Sequence, residues 1–294
     1  MALHPQARPT VAAYAEEVHV HDPGFDLERA RADERAAAAP EPRDPVDEVT
    51  EVDADGVPCR LYRPAGADAL VLHLHGGGFV FHDLDTHDAA ARRLANSAGA
   101  AVLSVGYRRA PEHRFPAAPD DVDTVLGWLG RESSGLGLDL PTHVHGDSAG
   151  GNLALVAALR NPGRFASVVL LYPFLDPEAR FDSYRTAADG FDAGEAAWYW
   201  DQYADPADRT DPDVAPLLSD RLGALPPTLV VTAEHDPLRD EGEELVRLLA
   251  EAGVEVVGTR YLGQVHGFWR HVGVFDAARA CVAQVAGFLR QHGR

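Results

Sequence analysis

Short apolar runs alternate along most of this chain with longer stretches whose apolar positions recur at helical spacing. The runs fall at 60–63, 69–75, 100–107, 142–145, 167–172, 227–233 and 254–261, and the helical stretches at about 83–97, 117–131, 151–159, 239–253 and 274–289. A crossover between parallel strands needs a dozen or more residues, which a helix fills. The alternation therefore predicts an α/β architecture, with a mostly parallel sheet flanked by helices on both faces.

Two regions break the pattern. Residues 1–45 are rich in Ala, Arg and Glu and close on Pro40, Pro42 and Pro45, which predicts one or two short helices and a stiff linker, an appendage to the core. Residues 176–219 separate two strands by too long an interval for an unstructured loop and predict a helical insertion. Its Phe191, Trp198, Tyr199, Trp200 and Tyr203 either pack as ordinary core or line a cavity beneath a cap. The domain reading is thus an N-terminal cap segment at 1–45 and a catalytic domain at 46–294 that carries a cap insertion at 176–219.

Charge narrows the partners. The 294 residues hold 26 Lys and Arg against 46 Asp and Glu, a net −20. A field of that sign repels phosphate, which argues against nucleic acid and anionic membrane surfaces. The longest apolar stretch, 168–175, is far below the roughly 18 residues that span a bilayer, so no membrane insertion is expected. The first twenty residues lack the apolar segment of a secretory signal. Cys59 and Cys281 sit in no metal or redox spacing, and a cytoplasmic location is the default expectation.

The chemistry is carried by two glycine motifs. Gly146-Asp147-Ser148-Ala149-Gly150 lies between a strand and a helix, where a sharp turn lifts a serine hydroxyl out at the carboxyl edge of the sheet. His75-Gly76-Gly77-Gly78-Phe79 follows the strand at 69–74, and its unshielded N–H groups can face an oxygen that gains negative charge. Gly77, Gly78 and Ala149 are the expected donors, while His75 props the loop. A serine also needs a base, and the base needs a carboxylate. Asp236 follows the strand at 228–232 and His266 follows the next one, so the order Ser148, Asp236, His266 matches that of an α/β-hydrolase. Asp240 and Glu241 compete for the acid role but stand at a helix start, where acidic groups meet free N–H groups. Asp147 should point away from its neighbour Ser148, and His271 is the nearest rival to His266. His82, Asp83, Asp85, His87 and Asp88 fit no metal-ligand pattern, and no nucleotide-binding loop is present, so neither a metal nor a cofactor is expected.

Together these motifs resemble the hormone-sensitive-lipase-like esterases, a bacterial family of α/β-hydrolases. The resemblance rests on HGGGF at 75–79, LDTHD at 84–88, YRRAPEHRFPAAPDD at 107–121, GDSAGGNLA at 146–154, YPF at 172–174, DPLRDEG at 236–242 and HGF at 266–268. It implies a serine carboxylesterase capped by the N-terminal segment and by an insertion after the sixth strand. This chain departs from the family pattern at Arg109, where leucine is usual, at His82, where glycine is usual, and at His143 and His145, where apolar residues are usual.

The expected substrate is a small short- to medium-chain ester, cleaved through an acyl-enzyme. Phe79, Trp198 and Phe268 are the candidate substrate contacts. Lactone opening, amide cleavage or a specific deacetylation would use the same parts, and a binding protein on a hydrolase scaffold is the reading from another class. The edge strand at 254–261 is a candidate for pairing in a homodimer.

Overall fold

The computed structural model describes residues 2–293. Two helices come first, α1 (Ala7–Tyr14) and α2 (Leu27–Ala38), and then a hairpin of β1 (Glu48–Ala54) and β2 (Val57–Arg63). The alternating part runs β3 (Leu70–Leu74), α3 (Asp88–Ala98), β4 (Ala101–Val105), α4 (Ala117–Glu132), β5 (Thr142–Asp147), α5 (Ala149–Arg160) and β6 (Ser167–Leu171). After β6 come the short α6 (Ser183–Thr186) and α7 (Ala193–Tyr203), and then β7 (Thr228–His235), α8 (Arg239–Glu251), β8 (Val256–Val265) and α9 (Asp276–His292).

One eight-stranded sheet results, in the order β1-β2-β4-β3-β5-β6-β7-β8, antiparallel at β1–β2 and β2–β4 and parallel elsewhere. Strands β3 to β6 are buried on both faces, as parallel strands under helices must be. On one face Leu70, Leu72 and Leu74 meet α4, α5 and α8; on the other Val71, Val102 and Val169 meet α3 and α9. Because the strands are parallel, their carboxyl ends gather on one edge, where an open sheet of this kind keeps its site.

Three expectations change. Strand β1 follows no apolar run: most of its residues are exposed, and it is held by its ladder to β2 through the Asp55-Gly56 turn, both residues at positive φ. The strand expected at 254–261 continues to Val265 past an irregularity opposite 233–235, which delivers His266 directly from a strand end. The N-terminal segment is no loose appendage. Arg31 donates through Nε to the Val80 carbonyl at 2.9 Å and pairs with Glu112 at 2.6 Å, and Arg35 pairs with Asp83 at 2.6 Å. Helix α2 is thereby fastened to the chain just after the glycine loop.

Candidate active site

The turn from β5 to α5 has a steric cause that sequence spacing only hints at. Ser148 is held at φ +55° and ψ −122°, a conformation rare for a residue with a side chain. A Cβ on Gly146 would lie 2.0 Å from the Gly150 carbonyl oxygen, and a Cβ on Gly150 would lie 2.0 Å from that of Leu74. Only glycine fits either place, and the tight bend leaves the Ser148 hydroxyl at the head of the helix.

His266 Nε2 lies 3.0 Å from Ser148 Oγ, and its Nδ1 lies 2.8 Å from Asp236 Oδ2. The other Asp236 oxygen accepts the Leu238 N–H at 2.9 Å. Asp236 is fully buried, and the imidazole packs against Tyr172 and Phe191 at centroid distances of 4.7 and 5.0 Å. Three residues far apart in sequence therefore stand in one hydrogen-bonded line with the ring orientation set by its neighbours.

The competitors have other tasks. Glu241 accepts the N–H groups of Leu175 and Asp176 and the Tyr184 hydroxyl, and Asp240 accepts the Ser183 N–H. They anchor the start of the 176–219 insertion. Burial pushes the Glu241 carboxyl well above its ordinary range. Asp147 turns away from Ser148 and accepts the Gly76 N–H at 3.1 Å, which ties the glycine loop to the serine turn. His271 is exposed and forms no hydrogen bond to the serine.

The glycine loop is braced from behind. Tyr107 donates to the His75 carbonyl at 2.7 Å, and His75 Nδ1 lies 2.8 Å from the Gly76 carbonyl. Burial lowers the His75 pKa to about 3, so it is a neutral strut. Among the described residues no acceptor takes the N–H of Gly77, Gly78 or Ala149. Gly77, at φ +108°, takes a backbone conformation that a side chain would strain.

A cavity of about 130 Å³ encloses Ser148 and His266. Gly77, His82, Glu195 and Tyr199 line it and also border an outer chamber of about 740 Å³ beside α1 and α2, so they stand between the two. The candidate contacts Phe79, Trp198 and Phe268 do not line the inner cavity. After the positive-φ glycines Phe79 turns inward and stacks on Tyr203 at 3.7 Å; Phe268 packs behind Tyr172; and Trp198 sits against Phe25. The aromatic wall comes instead from Phe174, Phe191 and Tyr199. The aromatic cluster of the insertion thus divides: Trp200 and Tyr203 are core, while Phe191 and Tyr199 face the site. Helix phase carries the signal for Tyr199, since Glu195, four residues earlier, shares its face.

His73, His87 and Asp147 have the spacing of a metal site, with ligand atoms within 4.8 Å of one another. Hydrogen bonding explains them differently. Arg270 can only donate, and its Nη1 lies 3.3 Å from His87 Nε2, so the proton of neutral His87 sits on Nδ1. That proton faces His73 Nε2 at 3.3 Å, and His73 Nδ1 in turn faces His145 Nδ1 at 3.0 Å. The lone pair a metal would need on His87 Nδ1 is taken. Asp83 and Asp88, from the same segment, serve the Thr86 N–H and the Arg60, Arg92 and Tyr62 side chains.

The family model for the alpha/beta hydrolase fold matches residues 71–270 of this chain. The chain belongs to the hormone-sensitive-lipase-like branch of the α/β-hydrolases. It is 39% identical to an ethyl acetate hydrolase of Pseudomonas putida, over 83% of this chain and 81% of that one. It is 38% identical to a carboxylic ester hydrolase of Mycobacterium tuberculosis, over 91% of this chain and 77% of that one. Among solved structures, a hyperthermophilic esterase from the archaeon Pyrobaculum calidifontis superposes with a TM-score of 0.89 at 36% identity, covering 99% of both chains.

Proposed function

We propose that this protein is a serine carboxylesterase that hydrolyses small esters through an acyl-enzyme, with Ser148 as nucleophile, His266 as base and Asp236 as its orienting acid. The observation that carries this reading is the 3.0 Å and 2.8 Å pair of contacts made by the two nitrogens of one imidazole. His266 Nε2 takes the Ser148 proton as Oγ attacks the carbonyl carbon, and Asp236 stabilises the resulting imidazolium. The N–H groups of Gly77, Gly78 and Ala149 receive the developing oxyanion. His266 then protonates the leaving alcohol, and water, deprotonated by the same nitrogen, releases the acid. Metal and cofactor have no part in this sequence of steps.

The names of relatives support ester hydrolysis over lactone, amide or deacetylation chemistry. A filled base position favours an enzyme over a binding protein. The 130 Å³ cavity fits acetyl to butyryl groups, and the boundary at Tyr199 sets the upper end of the range. In this reading residues 1–45 and 176–219 form the cap over the catalytic domain. No helix among the described residues is long and apolar enough to cross a membrane, and both cysteines are free and buried, which suits a cytoplasmic setting. The outer edge of β8, with Val257 and Leu262 exposed, is where a homodimer would pair, and light scattering reads its mass.

The test is Ser148→Ala measured beside wild type on 4-nitrophenyl acetate and butyrate, with a serine-directed phosphonate as a second readout. Wild type should turn over both esters and take up one phosphonate, and the variant should do neither while keeping its circular dichroism spectrum. Near wild-type cleavage by the variant would remove the assignment.

A further inference from the structure

Arg270 follows the His266 loop and lines the same cavity as Ser148. Its guanidinium makes one hydrogen bond among the described residues, from Nη1 to His87 Nε2 at 3.3 Å, and no carboxylate stands within ion-pair distance of it. The nearby acids are engaged elsewhere: Asp147 holds the Gly76 N–H, and Glu195 receives the hydroxyls of Tyr14 at 2.5 Å and Tyr199 at 2.8 Å. Nε and Nη2 of Arg270 are not sealed in the protein, although no group among the described residues bonds them. These two atoms form the edge of the guanidinium that grips a carboxylate with two parallel hydrogen bonds. The opposite edge is anchored through His87 to His73 and His145, so the fork is held in place before any ligand arrives.

We infer that Arg270 is a carboxylate subsite of the ester cavity, and that esters bearing a free carboxylate are substrates of this enzyme. The inference rests on Ser148 acting as the nucleophile. Besides its aromatic wall the cavity is lined by the carboxylates of Asp147 and Glu195, and a substrate carboxylate that loses its hydration there with no cation to receive it would be rejected by orders of magnitude. An arginine edge offering two N–H groups removes that penalty and fixes the orientation of the substrate. The carboxylate can belong to the acyl part, as in the half-ester of a dicarboxylic acid, or to the alcohol part, as in an acylated hydroxy acid.

Two pairs of near-isosteric esters separate these sources: monoethyl succinate against ethyl 4-methylpentanoate, and 3-acetoxypropanoate against 3-methylbutyl acetate. Hydrolysis is followed by acid release in a pH-stat at pH 7.5. In wild type the charged member of at least one pair should have a kcat/KM no less than a tenth of its neutral partner's. Arg270→Gln should lower that charged-to-neutral ratio at least tenfold, chiefly through KM, and Arg270→Lys should restore part of it. A wild-type ratio below one tenth in both pairs overturns the proposal. So does a ratio that falls less than tenfold in Arg270→Gln, since an arginine serving only to prop His87 would slow both esters alike. If Arg270→Gln does not fold, the wild-type ratios decide by the same criterion, together with Arg270→Lys, whose charged-to-neutral ratio should fall measurably below wild type; an unchanged ratio overturns the proposal. Failure of wild type on all four esters, by contrast, strikes at the esterase reading itself.

Discussion

The hydroxyl of Tyr14, in the first helix of the chain, donates to Glu195 of α7 at 2.5 Å, and Tyr199 donates to the other oxygen of the same carboxylate at 2.8 Å. Burial pushes the Glu195 carboxyl up from its ordinary range, while the two hydroxyls favour its charged form. The Tyr199 ring in turn lies over the glycine loop, so closely that a Cβ on Gly78 would be 2.2 Å from its Cδ1. One half-buried carboxylate thus fastens the N-terminal segment to the insertion, above the N–H groups that would receive the oxyanion.

Tyr14→Phe removes one of those donors from a half-buried carboxylate. The expected cost is about 1 kcal/mol in denaturant unfolding, the net worth of one hydrogen bond where water can replace the lost donor. Limited proteolysis should cut first within residues 1–45. Unchanged stability together with unchanged cleavage would show that the contact does not hold the segment down.

Tyr199→Ala opens the boundary between the inner cavity and the 740 Å³ chamber. The ratio of kcat/KM for 4-nitrophenyl octanoate over acetate should rise by about tenfold, in keeping with the 1–3 kcal/mol that a methylene-sized change in a pocket controls. A chain-length profile that keeps its shape would place the length limit elsewhere.

Asp236→Asn preserves the size of the side chain and removes the negative charge facing His266 Nδ1. On the behaviour of such triads, kcat should fall on the order of 10⁴-fold, because the amide favours the wrong imidazole tautomer and cannot stabilise the cation. KM should move little. A loss below tenfold would shift the acid role to another carboxylate.

Stability should fall steeply in mild acid. His75 and His145 are lowered to about 3 and His143 to about 4, all by burial, and His73 and His87 lie well below their ordinary value. A histidine depressed in the folded state adds stability that is complete above its unfolded value, about 6.5. That stability is lost as pH drops below 6.5 toward the folded pKa, because the unfolded chain binds the protons first. Each buried histidine contributes about 1.4 kcal/mol per pH unit in that window. Urea midpoints at pH 7.5, 6.5 and 5.5 read the slope, and a flat series would mean that these rings are already charged when folded.

How much of this was legible beforehand differs by element. The strands β3, β4, β6 and β7 announce themselves as mainly apolar runs buried on both faces, while β5, with His143 and His145, is read from its place before the Gly146–Gly150 turn. Strand β1 does not, since most of its side chains face water; the Asp55-Gly56 pair was the available signal for the hairpin. Ser148, Asp236 and His266 are readable because each follows a strand end, and the carboxyl ends of parallel strands must converge. Phe79 and Phe268 adjoin the motifs in sequence and Trp198 belongs to the aromatic cluster of the insertion, and neither nearness nor membership of a cluster sets the direction of a side chain.

From the sequence alone came the sheet, the glycine turns and the three side chains, Ser148, Asp236 and His266, that meet in one hydrogen-bonded line, because hydrophobic periodicity and local sterics are properties of short segments. Tertiary structure alone decided which aromatic rings wall the cavity, that Glu195 joins two distant segments, and that Arg270 lines the same cavity as Ser148. Those contacts join residues from separate loops and helices, and their geometry exists only after the packing of the sheet and cap has set the angle at which each segment returns.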